Sequence, residues 1–195
     1  DIREIVAYAA ARHIMVIPEI DMPGHATAAC RAYPEFSGGG AGQWDGFTFN
    51  PAKEDAYRFL EDVLREVVTL FPAPFLQLGG DEVHYGNQSW STDPAIVKFT
   101  RDQGMTNAVQ LEQYFVRRMA GVIQQLGKTT MGWDEIAGAG VAPTNSAVMW
   151  WRHDKPQVLT QLLEQNYRVV LCPRLPCYFD FVQDESHQHG RRWKG

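Results

Sequence analysis

Apolar residues follow two kinds of pattern along the chain, and these patterns alternate. Stripes with apolar residues three or four positions apart predict helices over residues 1–12, 51–70, 94–103, 109–126 and 156–165. Short apolar runs predict strands buried on both faces over residues 13–20, 75–80, 129–133, 147–151 and 168–172. A segment rich in Gly and Pro, residues 21–50, is predicted to be a loop. The alternation indicates an α/β fold with parallel strands and right-handed crossovers.

Polar and aromatic residues follow each of the five predicted strands, which bears on the choice between two architectures. An open, doubly wound sheet concentrates its ligand groups at one switch point. A barrel brings the C-terminal ends of all its strands to one mouth, so the distribution favours a (β/α)8 TIM barrel. A complete barrel has eight strands in about 250 residues. Residues 1–195 are therefore expected to form a single partial domain of about five central-to-late strands, with further strands before Asp1 and after Gly195.

The composition is that of a globular protein, since the 195 residues are 45% hydrophobic and 21% charged. A net charge of −5, with Lys and Arg scattered, argues against nucleic-acid and anionic-membrane partners. No apolar run in the sequence is long enough to span a bilayer.

The three cysteines do not indicate a metal site, because no His lies at ligand spacing beside Cys30, Cys172 or Cys177. Cys172 and Cys177 bracket a proline-containing turn, and a disulfide between them is compatible with an oxidising compartment. Buried free thiols are the simpler interpretation, because bridges that close such short loops are uncommon.

The most informative segment is an apolar strand that leads into Gly79 and Gly80 and then into Asp81 and Glu82. The glycines allow the backbone to leave the strand alternation, so both carboxylates can turn toward the mouth of a barrel. Two carboxylates held close together are expected to retain one proton, which provides the acid and the anion that glycosidic cleavage requires. A solvated pair of loop carboxylates remains the alternative on these residues alone.

A second group of polar residues lies at the end of the strand predicted over residues 13–20. The strand carries Glu19 near its end, and Asp21 and His25 follow it. Asp21 and His25 could bind a metal ion, or His25 could orient a carboxylate across the site. The paired-histidine spacing of common zinc hydrolases is missing, which favours the second interpretation.

Aromatic residues form a third group, because Trp133, Trp150, Trp151 and Tyr178 all lie at predicted strand ends. Flat aromatic walls suit the apolar C–H faces of sugars, although tryptophans also fill protein cores. Trp150 and Trp151 are adjacent, so strand alternation lets only one of them face inward, and the other is expected to pack outward against helices.

These residues resemble the family 20 glycoside hydrolases. The resemblance is carried by five segments in the same order and at similar spacing: Pro-Glu-Ile-Asp-Met-Pro-Gly-His over 18–25, Gly-Gly-Asp-Glu-Val over 79–83, Gly-Trp-Asp-Glu-Ile over 132–136, Trp-Arg at 151–152 and Cys-Tyr-Phe-Asp over 177–180. It covers essentially the whole chain. It implies an exo-β-N-acetylhexosaminidase that acts on oligosaccharides or glycans and uses no metal or other cofactor.

The resemblance also implies a retaining, substrate-assisted mechanism, in which the acetamido carbonyl oxygen of the substrate is the nucleophile and an oxazolinium ion is the intermediate. In this scheme Glu82 is the general acid and later the base for water. Asp81 accepts a hydrogen bond from the acetamido N–H, and Tyr178 donates one to the acetamido oxygen.

The binding and supporting residues are implied in the same way. Trp133 and Trp151 wall the acetamido pocket, and Asp180 binds a sugar hydroxyl. His25 supports Glu82 by hydrogen bonding, and Asp21 belongs to the same supporting group. Further family residues, a binding Arg before Asp1 and a Trp and a Glu after Gly195, are expected outside the chain.

One departure from the family pattern is Gln77, which stands where the family often has His, but Gln77 can still donate and accept hydrogen bonds. The end of the chain, with His187, His189 and the run from Gly190 to Trp193, is similar to bacterial members and implies a periplasmic or secreted enzyme. The alternatives are a carbohydrate-binding pseudoenzyme and a family 20 enzyme that releases a disaccharide. The Asp-x-Asp-x-Glu strand motif of acetamido-assisted endo-chitinases is absent from the sequence.

Overall fold

A computed structural model describes residues 1–192. Trp193, which is part of the chain end that resembles bacterial members, lies outside this range. Four strands form one sheet: β1 Phe75–Gln77, β2 Thr129–Trp133, β3 Ser146–Trp150 and β4 Arg168–Leu171. All neighbours are parallel, and the strands lie side by side in their order along the chain. A doubly wound sheet reverses its strand order at a switch point, whereas a barrel wall keeps the sequential order. The strand order is therefore that of a barrel wall.

Helices connect the strands, as the parallel sheet requires. The helices are α1 Ile2–Ala10, α2 Thr27–Ala32, α3 Glu54–Leu70, α4 Pro94–Asp102, α5 Ala108–Gln125, α6 Glu135–Gly138, α7 Pro156–Glu164 and the one-turn α8 Arg174–Cys177. Asp93 caps α4 by accepting from the Ala95 and Ile96 N–H groups. Gly127, with a φ of +75°, follows the end of α5. The predicted bounds of α4, α5 and α7 agree with the structure to within one residue at each end.

The strand predicted over residues 13–20 is wrong in most of its length. Only its end lies along β1: Glu19 forms an isolated parallel bridge to Gln77, whose N–H donates to the Pro18 carbonyl and whose carbonyl accepts from the Ile20 N–H, both at 2.9 Å. Ile14 and Met15 are 58% and 57% exposed, so this segment is not buried on both faces. Pro18 has no N–H to donate, and within residues 1–192 no strand pairs with the other edge of the segment.

Two further expectations are corrected. The helix predicted from residue 51 begins at Glu54, because Pro51 lies in a turn before the helix. The Pro51 carbonyl accepts a hydrogen bond from Tyr57 Oη at 2.7 Å. The segment predicted as a loop over 21–50 contains α2.

All three cysteines are free thiols, so Cys172 and Cys177 are not bridged in the structure. Cys30 is buried and Cys172 is half-buried. Cys177 is exposed, so the expectation of a buried thiol is wrong there.

The main hydrophobic core lies between the sheet and the helices α3, α5 and α7. Its fully buried members include Leu60, Leu64, Leu76, Phe115, Met119 and Ile123. Each such side chain contributes about 1.5–3 kcal/mol by burial, so the core holds the strand ends in fixed positions. None of the helices described for the chain is long and apolar enough to cross a membrane.

Candidate active site

A cavity of about 150 Å³ lies at the C-terminal ends of the strands. Its walls are formed by Asp81, Glu82, Trp133, Trp151, Arg174, Tyr178 and Arg191. Five of these seven are residues that the sequence predicted for the site, and they follow β1, β2, β3 and β4 in turn. Arg174 and Arg191 were not predicted.

Glycine is required at both positions that precede the two acids. Gly79 and Gly80 have φ values of +73° and +88°. A Cβ atom on Gly79 would lie 1.7 Å from Asp21 Oδ1, and one on Gly80 would lie 2.6 Å from the Ile136 side chain. Glu82 itself adopts a left-handed conformation with a φ of +55°, which is uncommon for a residue with a side chain. This irregular backbone lets consecutive carboxylates reach the same cavity.

His25 lies between the two carboxylates. Its Nε2 atom is 3.2 Å from Asp81 Oδ2 and 3.3 Å from Glu82 Oε2. The hydrogen bond to Asp81 raises the pKa of His25 to about 9, although partial burial acts in the opposite direction. At neutral pH His25 is therefore a cation, and its Nε2 atom lies within 3.3 Å of an oxygen of each acid.

Asp21 lies behind this group. It accepts a hydrogen bond from the Gly80 N–H at 3.3 Å and so ties the glycine turn to the segment that carries His25. Burial, followed by the nearby charge of Asp81, raises the pKa of Asp21 to about 8. Asp21 therefore keeps its proton at neutral pH.

This raised pKa predicts a pH-dependent stability difference between the wild-type protein and Asp21→Asn. Because the pKa of Asp21 is higher in the folded protein than in the unfolded chain, the proton on this carboxyl stabilises the fold. This stabilisation is complete below the unfolded pKa of 3.8 and is lost as the pH rises to about 8. Asn imitates the protonated acid at every pH. The melting temperature of the variant minus that of the wild type should therefore increase from about pH 4 to pH 8 and then level off.

The measurement is a set of thermal melts of the full-length protein across this pH range. Asp62→Asn, at an exposed position on α3, is the matched control and should show no such trend. A difference for Asp21→Asn that is constant with pH, or that falls, would contradict the prediction.

Asp21, His25 and Asp81 also form the group that a metal ion could use, with ligand atoms within 4.8 Å of one another. A histidine nitrogen binds a metal through the lone pair that it lacks when it carries a proton. Because His25 Nε2 donates to Asp81, the geometry fits the hydrogen-bond interpretation of this group.

The two tryptophans of the cavity are each held by a glutamate through the indole N–H. Trp133 Nε1 donates to Glu19 Oε1 at 3.0 Å, and Trp151 Nε1 donates to Glu135 Oε2 at 3.2 Å. Trp150 is 8% exposed and packs in the main core, as strand alternation predicts for one of the two neighbours. The indole planes are therefore oriented before any ligand binds.

The ion pair between Asp134 and Arg152 holds the backbone of Trp151 in place. Asp134 is 2% exposed and bonds the Arg152 side chain and the Trp151 backbone N–H, the latter at 3.3 Å. Burial, with the nearby charge of Asp134, raises the pKa of Glu135 to about 8. Glu135 accepts the hydrogen bond from the Trp151 indole and also lies 3.6 Å from Arg152 Nη1.

We expect Glu135→Ala to lower kcat/KM for a sugar substrate by about threefold to tenfold, because one hydrogen bond contributes about 1 kcal/mol. Glu135→Gln should retain most of the activity, since its carbonyl oxygen can accept the same hydrogen bond. Steady-state kinetics on the full-length protein tests this, with Glu164→Ala on the exposed side of α7 as the control. Equal losses in the Gln and Ala variants would count against this role.

Tyr178 is half-buried in the wall of the cavity. Burial, followed by the nearby Cys172 and Asp81, raises the pKa of Tyr178 to about 12. The phenol therefore keeps its proton across the physiological range. Asp180 does not line the cavity, because it pairs with Arg191 at 3.2 Å, and Arg191 in turn lines the wall.

Asp81 has one carboxylate oxygen that is not satisfied by the protein. Oδ2 is bonded to His25, whereas Oδ1 is buried and accepts no hydrogen bond within the described chain. A buried anionic oxygen without a donor is costly, and such groups are rare in proteins. The arrangement is chemically suited to a ligand that brings an N–H to this oxygen.

Sequence comparison agrees with this geometry. Residues 1–195 match the profile described as the catalytic domain of glycosyl hydrolase family 20. The chain belongs to glycosyl hydrolase family 20. Among the curated relatives, a β-hexosaminidase from Vibrio furnissii is 34% identical over 204 residues, covering 100% of this chain and 33% of the relative. Another from Porphyromonas gingivalis is 36% identical over 179 residues, covering 88% of this chain and 22% of the relative.

Solved structures of two related enzymes share the fold. A β-N-acetylhexosaminidase from Bacteroides fragilis superposes with a TM-score of 0.80 at 31% identity, covering 93% of this chain and 37% of that one. An exo-β-N-acetylglucosaminidase from Vibrio harveyi, solved with N-acetylglucosamine, superposes with a TM-score of 0.82 at 32% identity. The match covers 94% of this chain and 29% of that one. The chain thus spans about a third of the length of its relatives and forms part of the family 20 barrel.

Proposed function

We propose that the protein containing this chain is a retaining exo-β-N-acetylhexosaminidase that removes terminal, non-reducing β-linked GlcNAc or GalNAc from oligosaccharides or glycans. The observation that carries the proposal is the environment of Asp81. Its Oδ1 atom is buried without a donor, beside a cavity walled by Trp133, Trp151 and the protonated Tyr178. A 2-acetamido group supplies an N–H for Asp81, a carbonyl oxygen for Tyr178 and an apolar methyl for the indole faces.

In the first step the acetamido carbonyl oxygen attacks the anomeric carbon of the same sugar. Glu82 donates its proton to the glycosidic oxygen, the bond to the leaving group breaks, and an oxazolinium ion forms. Asp81 accepts the acetamido N–H and stabilises the positive charge that develops on the ring. Tyr178 orients the attacking oxygen.

In the second step Glu82, now a carboxylate, removes a proton from a water molecule, which attacks the anomeric carbon from the side that the leaving group vacated. The oxazolinium ring opens and the acetamido group is restored. Two displacements at one carbon return the β configuration. His25 holds both carboxylates during the cycle, since its Nε2 is within 3.3 Å of an oxygen of each.

The relatives support a hexosaminide as the substrate, because the Vibrio harveyi enzyme was solved with N-acetylglucosamine and a Streptomyces plicatus β-hexosaminidase with GlcNAc as product. We further propose a periplasmic or secreted location, which rests on the likeness of the chain end to bacterial members. Cell fractionation would test the location.

The activity is tested by giving the full-length protein aryl β-glycosides of GlcNAc, GalNAc and glucose and the aryl α-glycoside of GlcNAc. The proposal predicts turnover of the two β-hexosaminides. It predicts none of the β-glucoside, which lacks the nucleophile, and none of the α-anomer. Comparable turnover of the β-glucoside would overturn it.

A further inference from the structure

A second and larger cavity, of about 700 Å³, adjoins the sugar pocket. Arg174 and Arg191 line both cavities, so they form a common wall. The remainder of the second cavity combines the apolar Leu175 and Phe181 with His153, Arg192 and one acid, Asp154. Its size is that of a small-molecule site, and it has room for a sugar ring.

The three arginines that line this cavity differ in how their charge is balanced. Arg191 pairs with Asp180 at 3.2 Å, and Arg192 pairs with Glu185 at 3.5 Å. Arg174 is different, because within residues 1–192 its guanidinium takes part in no ion pair or hydrogen bond. Its Nε atom is buried without an acceptor. An unpartnered, partly buried guanidinium is costly unless an anion binds there.

The position of Arg174 is fixed by the backbone. It opens the turn after β4, and its N–H donates to the Trp151 carbonyl at 2.9 Å. The same turn ends next to Tyr178, whose N–H donates to the Arg174 carbonyl at 3.0 Å. Arg174 is thus tied to two walls of the sugar pocket while its side chain also borders the second cavity. No carboxylate of residues 1–192 lies within ion-pair distance of it, Asp81 and Glu82 included.

We propose that the second cavity binds the sugar on the leaving-group side of the cleaved bond and that Arg174 selects an oxyanion on that sugar. This inference rests on the proposed function. A planar guanidinium binds a carboxylate or a sulfate through two parallel hydrogen bonds. The substrates favoured are therefore β-N-acetylhexosaminides attached to a hexuronic acid or to a sulfated sugar.

The test compares three disaccharides in the full-length enzyme, each with terminal β-GlcNAc, linked to neutral GlcNAc, to a hexuronic acid or to a sulfated GlcNAc. The quantity measured is kcat/KM for each anionic substrate divided by kcat/KM for the neutral one. Arg174→Gln should lower this ratio by about tenfold or more for at least one anion, as expected for a charge-assisted hydrogen bond. Arg174→Lys should lose less, because it keeps the charge.

The control is Arg3→Gln, an exposed position on α1, which should leave the ratio unchanged. Added salt should also lower the ratio in the wild-type enzyme. The anion that loses its advantage in Arg174→Gln identifies the group that is bound. A ratio that is unchanged in Arg174→Gln, even if all three rates fall together, would overturn the proposal. Failure of the wild-type enzyme to cleave the neutral disaccharide would instead contradict the proposed function.

Discussion

Glu82→Gln in the full-length enzyme is expected to lower kcat on a β-GlcNAc disaccharide by about a hundredfold to ten-thousandfold, the range for loss of a general acid–base group. Gln has the size of Glu but can neither donate a proton to the leaving group nor remove one from water. The effect should be largest with sugar leaving groups, which need protonation to depart. An aryl leaving group departs more easily, so an aryl β-hexosaminide should lose less in the first step.

The measurement is steady-state kinetics with both substrate types, accompanied by thermal melts to establish that the variant is folded. Glu164→Gln, at an exposed position on α7, makes the same chemical change outside the cavity and should have normal rates. A folded Glu82→Gln variant that cleaves the disaccharide at near the wild-type rate would rule out Glu82 as the proton donor.

Asp81→Asn should have the second-largest effect. It keeps the shape of the side chain but removes the charge that faces the developing cation, a change that we expect to cost about a hundredfold to a thousandfold in kcat. A thiazoline analogue of the oxazolinium intermediate should lose affinity to a similar extent, whereas free GlcNAc should lose much less. The same substitution removes the anion that raises the pKa of His25, so that pKa should fall toward its ordinary value.

Inhibition constants for the thiazoline and for GlcNAc, measured with the wild type and Asp81→Asn, test this assignment. The pKa of His25 can be followed by NMR in the same two proteins. Asp62→Asn serves again as the matched substitution outside the site. If the thiazoline and GlcNAc lost equal affinity, Asp81 would contribute to general binding and not to stabilisation of the intermediate.

The sequence predicts the elements of this fold best where local pattern and tertiary contacts agree. The sequence predicts β2 with its exact bounds, and β3 and β4 to within one residue, because each is a short apolar run that pairs with a parallel neighbour. The expected burial on both faces is wrong for β4, where Val170 and Leu171 are 41% and 62% exposed. Residues 14 and 15 belong to an equally apolar run, yet they are exposed and pair with no strand within residues 1–192. A strand forms only where a neighbour supplies hydrogen bonds. That neighbour is a property of the fold and cannot be inferred from the run itself.

In the candidate site, too, some residues can be predicted from local sequence patterns and others only from tertiary contacts. Asp81, Glu82 and His25 could be grouped from short motifs, since the glycine turn and the strand end are local features. The contact between Glu19 and Trp133 joins residues 114 positions apart, so only the three-dimensional fold reveals it. Arg174 stands in a short turn without a sequence signal of its own, and its importance appears only when its neighbours and its missing partner are known.

In the proposed mechanism the nucleophile belongs to the substrate and not to the protein. The most direct measurement is kcat/KM for aryl β-glycosides of glucosamine whose N-acyl group is acetyl, monofluoroacetyl, difluoroacetyl or trifluoroacetyl. Each fluorine withdraws electrons from the carbonyl oxygen, so the account predicts a steep fall in rate along the series. Rates that are unaffected by fluorination, together with a covalent sugar trapped on Asp81 or Glu82, would contradict it.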